Sequence, residues 1–266
     1  MVTSTEMGEG KVRAQQEIPD SPESIQASYY EATASRYDAM HTSDKDAEHS
    51  KALAFIDAVS NLCNCNTFLD VGAGTGRGVR FFHEKGRYIR GIEPVSALIA
   101  VAESSGLPSG LISQGSGYHL PFENHSFDAV FECGVLHHVK DPAAVVSEMT
   151  RVAKRAIFLS DSNRFGQGSP AMRLIKLALY KTHLWNIARF AQTKGKMYHL
   201  SEGDGLAYSY SVFDSYAQLA SWADRIEILS TASDLHIKSW FHPLLTAPSV
   251  LLCALKPECS PEGARR

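Results

Sequence analysis

From Thr67 to Ser160 the chain alternates short apolar runs with stretches of helical period, and this alternation limits the fold more than any other feature. The runs Phe68-Leu69-Asp70-Val71, Tyr88–Ile92, Phe127–Cys133 and Ala156–Ser160 are too short for buried helices and read as strands. Arg77–Lys85, Pro94–Ser104 and Asp141–Val152 read as helices, and a proline suits the first turn of the second. Strands alternating with helices of this length form βαβ units, so the expected fold is α/β, with a doubly wound, mostly parallel sheet. A helix at Ser221–Ser230 and two strands, near His236–Phe241 and Ser249–Leu255, close the chain. The last pair is expected as an antiparallel edge, with Pro243 and Pro248 in its connection.

The 266 residues fit one large domain or two small ones, and no internal repeat is present. Residues 1–22 are polar and aperiodic and are read as a disordered arm, and 259–266 as a flexible tail. Residues 23–258 are read as a single domain opened by short helices over 23–62, with Leu53, Phe55, Ile56 and Val59 on one apolar face. Charge is nearly balanced, at 26 Lys+Arg against 29 Asp+Glu, which argues against a surface built wholly for polyanions. No apolar run approaches the ~20 residues a spanning helix needs. The N-terminus lacks the apolar core of a signal peptide, and a cytoplasmic protein is expected. The five cysteines lack CxxC spacing and are expected as ordinary buried thiols, and Cys63-Asn64-Cys65 has no second pair to complete a metal site.

Asp70-Val71-Gly72-Ala73-Gly74-Thr75-Gly76 stands where the first strand should hand over to the first helix. Glycine there allows a tight turn and close approach of a ligand to the backbone. The spacing G-x-G-x-G departs from the G-x-G-x-x-G of dinucleotide binders, since Arg77 occupies the third glycine position. Glu93 ends the second strand, next to the first strand's carboxyl end, where a carboxylate can accept both hydroxyls of a ribose. It would also repel a 2′-phosphate.

Taken in order, FLDVGAGTGRG, GIEP and LPFENHSFDAVFECGVLHHV resemble the class I S-adenosylmethionine-dependent methyltransferases, most of all their small-molecule, ubiquinone- and menaquinone-type branch. The resemblance spans Tyr29–Asp161 and returns weakly in the last strands. It implies a seven-stranded Rossmann-like sheet and S-adenosylmethionine as cofactor. Asp70 and the turn of Gly72, Ala73, Gly74 and Gly76 would hold the methionine end, Glu93 with Pro94 the ribose, and Tyr37 would close over the cofactor. Backbone groups of Glu132 and Cys133 would face the methionine moiety. Where the family places an acid against adenine this chain has Ser116, so Ser116, a backbone group near Gly117 or the Tyr118 side chain is expected to substitute. The family's Pro-Gly-Gly turn before the fifth strand is likewise absent, Arg155-Ala156-Ile157 standing in its place.

Methyl transfer from a sulfonium needs an in-line approach above all, and a base only for a nucleophile that must lose a proton. His137 and His138 are the candidate bases, and His138 is the one assigned. Between Asn163 and Leu200 lie seven cations and no acid, in a segment whose apolar positions from Pro170 to Ala191 suit an amphipathic helix or a bent pair. Residues 163–210 are therefore read as a helical lid whose apolar side packs on the sheet. The expected partner is a small acceptor, anionic or lipophilic. Peripheral membrane contact is an alternative for the basic lid, and nucleic acid is disfavoured. An RNA-directed enzyme and an inactive cofactor-binding homologue are the rival functions.

Overall fold

The computed structural model describes residues 22–37, 43–201, 205–232 and 242–259. The arm expected over 1–22 lies outside them except for Pro22, which opens a helix. The expected strand at His236–Phe241 also lies outside them.

In chain order the elements are α1 (Pro22–Thr33), α2 (Ser43–Leu62), β1 (Thr67–Val71), α3 (Arg77–Glu84), β2 (Tyr88–Glu93), α4 (Ser96–Ser104), β3 (Ile112–Gln114), β4 (Phe127–Cys133), α5 (Pro142–Val152) and β5 (Ala153–Ser162). Then come α6 (Pro170–Lys181), α7 (Trp185–Gln192), β6 (Tyr198–Ser201), β7 (Gly205–Tyr208), α8 (Tyr216–Trp222), β8 (Arg225–Ser230), α9 (Pro243–Thr246) and β9 (Ser249–Leu255). Seven strands form one sheet in the order β3-β2-β1-β4-β5-β9-β8, while β6 and β7 make a separate antiparallel hairpin. β1 to β5 pair in parallel, and β9 lies antiparallel between β5 and β8.

Alternate residues of each central strand face opposite helical layers, as a sheet covered on both faces requires. Leu69, Val130, Ile157 and Leu252 pack with Val145, Val146 and Met149 of α5 and Leu219 of α8. Phe68, Phe131, Phe158 and Cys253 pack on the other face with Ile56 of α2 and Phe82 of α3. Phe82 stacks on Phe68 with centroids 4.3 Å apart and meets Phe131 at 5.4 Å. These layers fix α3 against β1, and so fix the turn between them.

Three expectations need correction. Ser221–Ser230 is not one helix: α8 stops at Trp222 and β8 starts at Arg225. Ile226 and Ile228 point inward while Arg225 and Glu227 face solvent, a period of two that pairing with β9 selects. The lid is indeed a bent pair, but neither α6 nor α7 buries a residue, and Leu174, Ile175, Ile187 and Phe190 stand exposed instead of packing on the sheet. Within residues 163–210, β6 and β7 pair with Tyr198 opposite Tyr208, and His199, Ala207 and Tyr208 line a cleft described below. Cys259 belongs to no loose tail, being buried beside Cys63 with its Sγ 3.6 Å from the Arg155 carbonyl. All five cysteines are free thiols.

One side chain ties α5 to the loop between β3 and β4. Arg151 donates to both Glu148 carboxylate oxygens at 2.7 and 2.8 Å, to the carbonyls of Leu120 (2.9 Å) and Phe122 (2.7 Å), and to Asn124 Oδ1 (3.0 Å). The guanidinium holds the Glu148 carboxyl down at about 2. A depressed folded-state value stabilises the fold above the ordinary carboxylate range, and that contribution is lost as pH falls through about 2. Arg151→Ala is expected to lower the unfolding free energy at pH 7 by about 2 kcal/mol, the scale of losing a charged, partly buried hydrogen-bond set. The fall in stability between pH 5 and 3 should be shallower, because Glu148 then titrates closer to its unfolded value, and urea unfolding at pH 3, 5 and 7 would show both.

Candidate active site

The chain leaves β1 through the glycine turn at the point where strand order reverses, with β2 on one side and β4 on the other. Gly72 and Ala73 both donate to the Ile92 carbonyl, at 2.8 and 3.0 Å, which lashes the turn to the end of β2. Gly72 holds φ +78°, and a Cβ there would sit 2.5 Å from a Val135 methyl. Gly74 holds φ +53°, and the nearest atom to a Cβ there would be Tyr37 Oη at 4.0 Å, so its face is open to a ligand beneath Tyr37. Gly76 caps α3 at φ +80° and packs toward Leu107 and Ile112; its role here is to build the turn.

Glu93 reaches across to this turn. One carboxylate oxygen accepts from Gly74 N and the other from Val95 N, both at 2.9 Å. Burial pushes its carboxyl up, and the two backbone donors oppose that. Asp70 lies behind the turn, almost wholly buried, with an oxygen where a Cβ on Gly78 would fall. Burial and the nearby Glu93 push its carboxyl up to about 8. Folded Asp70 therefore holds its proton more tightly than unfolded Asp70. The associated stability is complete below about pH 4 and is lost as pH rises toward about 8. Asp70→Asn is expected to flatten the fall in urea-unfolding free energy between pH 5 and 8.5; an unchanged slope would contradict this burial.

A cleft of about 560 Å³ opens over the turn. Tyr37, Gly72, Ala73, Gly74 and Cys133 line it, as the sequence leads one to expect. Ser116, Gly117 and Tyr118 do not: they follow β3, with the exposed Ser116 Oγ accepting from Tyr118 N (3.2 Å) and Tyr118 Oη accepting from Asp141 N (3.1 Å). Pro94 uses its carbonyl to accept from Gln114 Nε2 at 3.1 Å. Glu132 is fully buried below the cleft; one oxygen accepts from Val135 N at 2.9 Å and the other has no partner. Burial and neighbouring Asp161 push its carboxyl well up.

The two histidines after β4 have different settings. His138 has Nδ1 2.6 Å from the Leu206 carbonyl and Nε2 3.1 Å from Tyr30 Oη, with Gln26 Nε2 3.2 Å from Nδ1. It lines the cleft, as His137 does, and with both ring nitrogens engaged it also joins α1, the β4 turn and β7 as a latch. His137 lines the cleft, and its Nδ1 lies 2.8 Å from Asp161 Oδ1 at the end of β5. Its backbone N donates to the other Asp161 oxygen at 3.1 Å. The histidine beside it holds the buried Asp161 carboxyl below its usual range. Asp161 was absent from the residues expected at the site; its position at the carboxyl end of the fifth strand was the available signal.

The profile of the methyltransferase domain family matches residues 69–158, from within β1 to within β5. Residues 69–158 are thus similar to a methyltransferase domain. The chain is 31% identical over 86 residues to an uncharacterised methyltransferase of Mycobacterium tuberculosis, a match covering 32% of this chain and 35% of that one. The first curated relatives are thus matched over about a third of their own length. A longer match, 29% identical over 203 residues, covers 72% of the chain and 74% of the ubiquinone biosynthesis O-methyltransferase of Xylella fastidiosa. Among solved structures, magnesium protoporphyrin IX methyltransferase from Synechocystis with bound S-adenosylmethionine superposes with a TM-score of 0.59 at 14% identity, covering 91% of this chain and all of the other. That likeness is one of fold.

Proposed function

We propose that this chain is a methyltransferase that transfers a methyl group from S-adenosylmethionine to an oxygen of a small organic acceptor. The observation that carries the proposal is the convergence on one cleft of a glycine turn braced by Glu93 and the His137–Asp161 pair. S-adenosylmethionine supplies a methyl group already activated on a sulfonium centre. Gly72 to Gly74 and Tyr37 would receive its methionine end, in the space that the bare Gly74 leaves open. Each Glu93 oxygen keeps a second acceptor position beyond the one used by Gly74 or Val95, which suits two ribose hydroxyls. Residues 116–118, at the end of β3, are the side on which the base would rest.

Asp161 sets the proton of His137 on Nδ1, so Nε2 is the basic nitrogen. Nε2 would take the hydroxyl proton as the acceptor oxygen displaces S-adenosylhomocysteine from the methyl carbon, the S–CH₃ bond breaking as the O–CH₃ bond forms, and Asp161 would stabilise the imidazolium that results. A cleft of this volume suits a small molecule, with residues 163–210 as its lid. Among the described residues no helix is long and apolar enough to cross a membrane. The test is incubation with S-adenosylmethionine and a metabolite extract, followed by mass spectrometry for products heavier by CH₂. An O-methylated metabolite is the expected product; none, or one methylated only on nitrogen or carbon, would overturn the proposal.

A further inference from the structure

The lid carries buried donors that methyl transfer itself does not use. Arg164, in the turn between β5 and α6, has a side chain only 8% exposed and faces the cleft. Its guanidinium is stacked among three rings, 5.3 Å from Phe165, 5.7 Å from Tyr180 and 5.2 Å from Trp185, and one end pairs with Asp214. Its Nε is buried with no hydrogen-bond partner. Arg189 stands one turn beyond Trp185 on α7, so the two side chains share a face of that helix. Nη1 of Arg189 donates to Gln192 Oε1 at 3.0 Å, but Nε and Nη2 are buried and unpartnered. Lys176 lines the same cleft and donates to the carbonyls of Arg164 (3.1 Å) and Gln167 (3.2 Å).

Buried donors of this kind are nearly always satisfied in a folded protein, and a guanidinium demands it more than a neutral group. Here two arginines present unmet N–H groups, and their charges oppose one another: burial and Arg189 together lower Arg164 to about 10. Burial lowers Arg189 as well. An oxyanion between them would meet the donors and cancel the repulsion. The carboxylates that line the cleft are committed elsewhere, Glu48 accepting from Ser249 Oγ at 2.8 Å and Asp161 holding His137.

We propose that Arg164 and Arg189, with Lys176 beside them, form an oxyanion subsite that holds a carboxylate or phosphate group of the acceptor. The inference rests on the methyl-transfer reading only in making the bound anion the acceptor. Fixing the acceptor by its anion leaves the rest of the molecule free to reach the glycine turn. The rings of Trp185 and Tyr208, which also line the cleft, flank that path.

The test is calorimetric titration of the full chain with benzoate, phenyl phosphate and the uncharged benzyl alcohol, without and with saturating S-adenosylhomocysteine. One or both anions are expected to bind at least tenfold more tightly than the alcohol, and their relative affinities distinguish carboxylate from phosphate. Arg189→Gln should weaken anion binding at least tenfold while changing affinity for S-adenosylhomocysteine less than twofold. Arg164→Gln should do the same where it folds; Arg189 is only half-buried and lacks the Asp214 pair, so its variant keeps the test decisive. Equal binding of the three probes, no anion binding, or anion affinity unchanged in Arg189→Gln would overturn the subsite. A matching tenfold loss of S-adenosylhomocysteine would overturn it too, since the arginine would then hold the nucleoside's own carboxylate. Failure of S-adenosylhomocysteine to bind the wild type would fall on the methyl-transfer reading, and the titration without it would still decide the subsite.

Discussion

Glu93→Ala is expected to weaken S-adenosylmethionine binding by more than tenfold. The carboxylate does two things in this structure: it accepts from Gly74 N and Val95 N, and it places its remaining lone pairs at the carboxyl end of β2. On the proposed reading alanine removes the ribose acceptor, and it also leaves two backbone donors unmet, at about 1–3 kcal/mol for a buried group. The turn over which Gly74 presents its open face would lose its brace, so part of the loss is positional. Binding of radiolabelled S-adenosylmethionine at equilibrium, with circular dichroism to confirm that the variant folds, measures the effect. A change below twofold in a folded variant would mean that the ribose lies elsewhere.

The second large effect is expected at His137. His137→Ala should lower kcat on the acceptor found by mass spectrometry by about 100-fold, at the lower end of what a general base contributes. The KM for S-adenosylmethionine should stay within about twofold, because the imidazole acts on the acceptor side. A purely structural histidine would lower stability and raise both KM values without removing the rising, acid-side limb of a pH–rate profile. In the wild type the rate should rise with pH as the imidazole loses its proton, and in His137→Ala that limb should vanish. His138→Ala is the informative contrast, since loss of the latch to Tyr30 and Leu206 should loosen α1 and the hairpin while leaving the pH limb intact. A pH limb that survives in His137→Ala would remove the residue from the mechanism.

The central sheet was legible because its strands are buried on both faces and are separated by helices of plain period. Phe68, Leu69 and Val71 make a strand wherever they are placed, and the glycines after Asp70 then have one geometry open to them. At the far edge, Ile226, Ile228 and Leu229 suit a helix as well as a strand, and pairing with β9 decides, a contact that sequence does not display. The histidine pair shows the same limit at the site. Neighbouring residues of identical chemistry diverge because one meets Asp161 and the other meets Tyr30 and Leu206, partners 24 to 108 positions away. The basic lid was legible as composition, but the ring cage around Arg164 joins residues 164, 165, 180 and 185 only after the chain has turned between α6 and α7. Ser116 stood out in sequence as a departure from the family and proves exposed, with its hydroxyl turned to Tyr118 N.

The claim on which the account rests is that this glycine turn and Glu93 form a binding site for the methyl donor. Calorimetric titration of the wild-type chain with S-adenosylhomocysteine tests it most directly. The account predicts saturable binding of one molecule per chain, lost by more than tenfold in Glu93→Ala. Absence of binding in the folded wild type would contradict it.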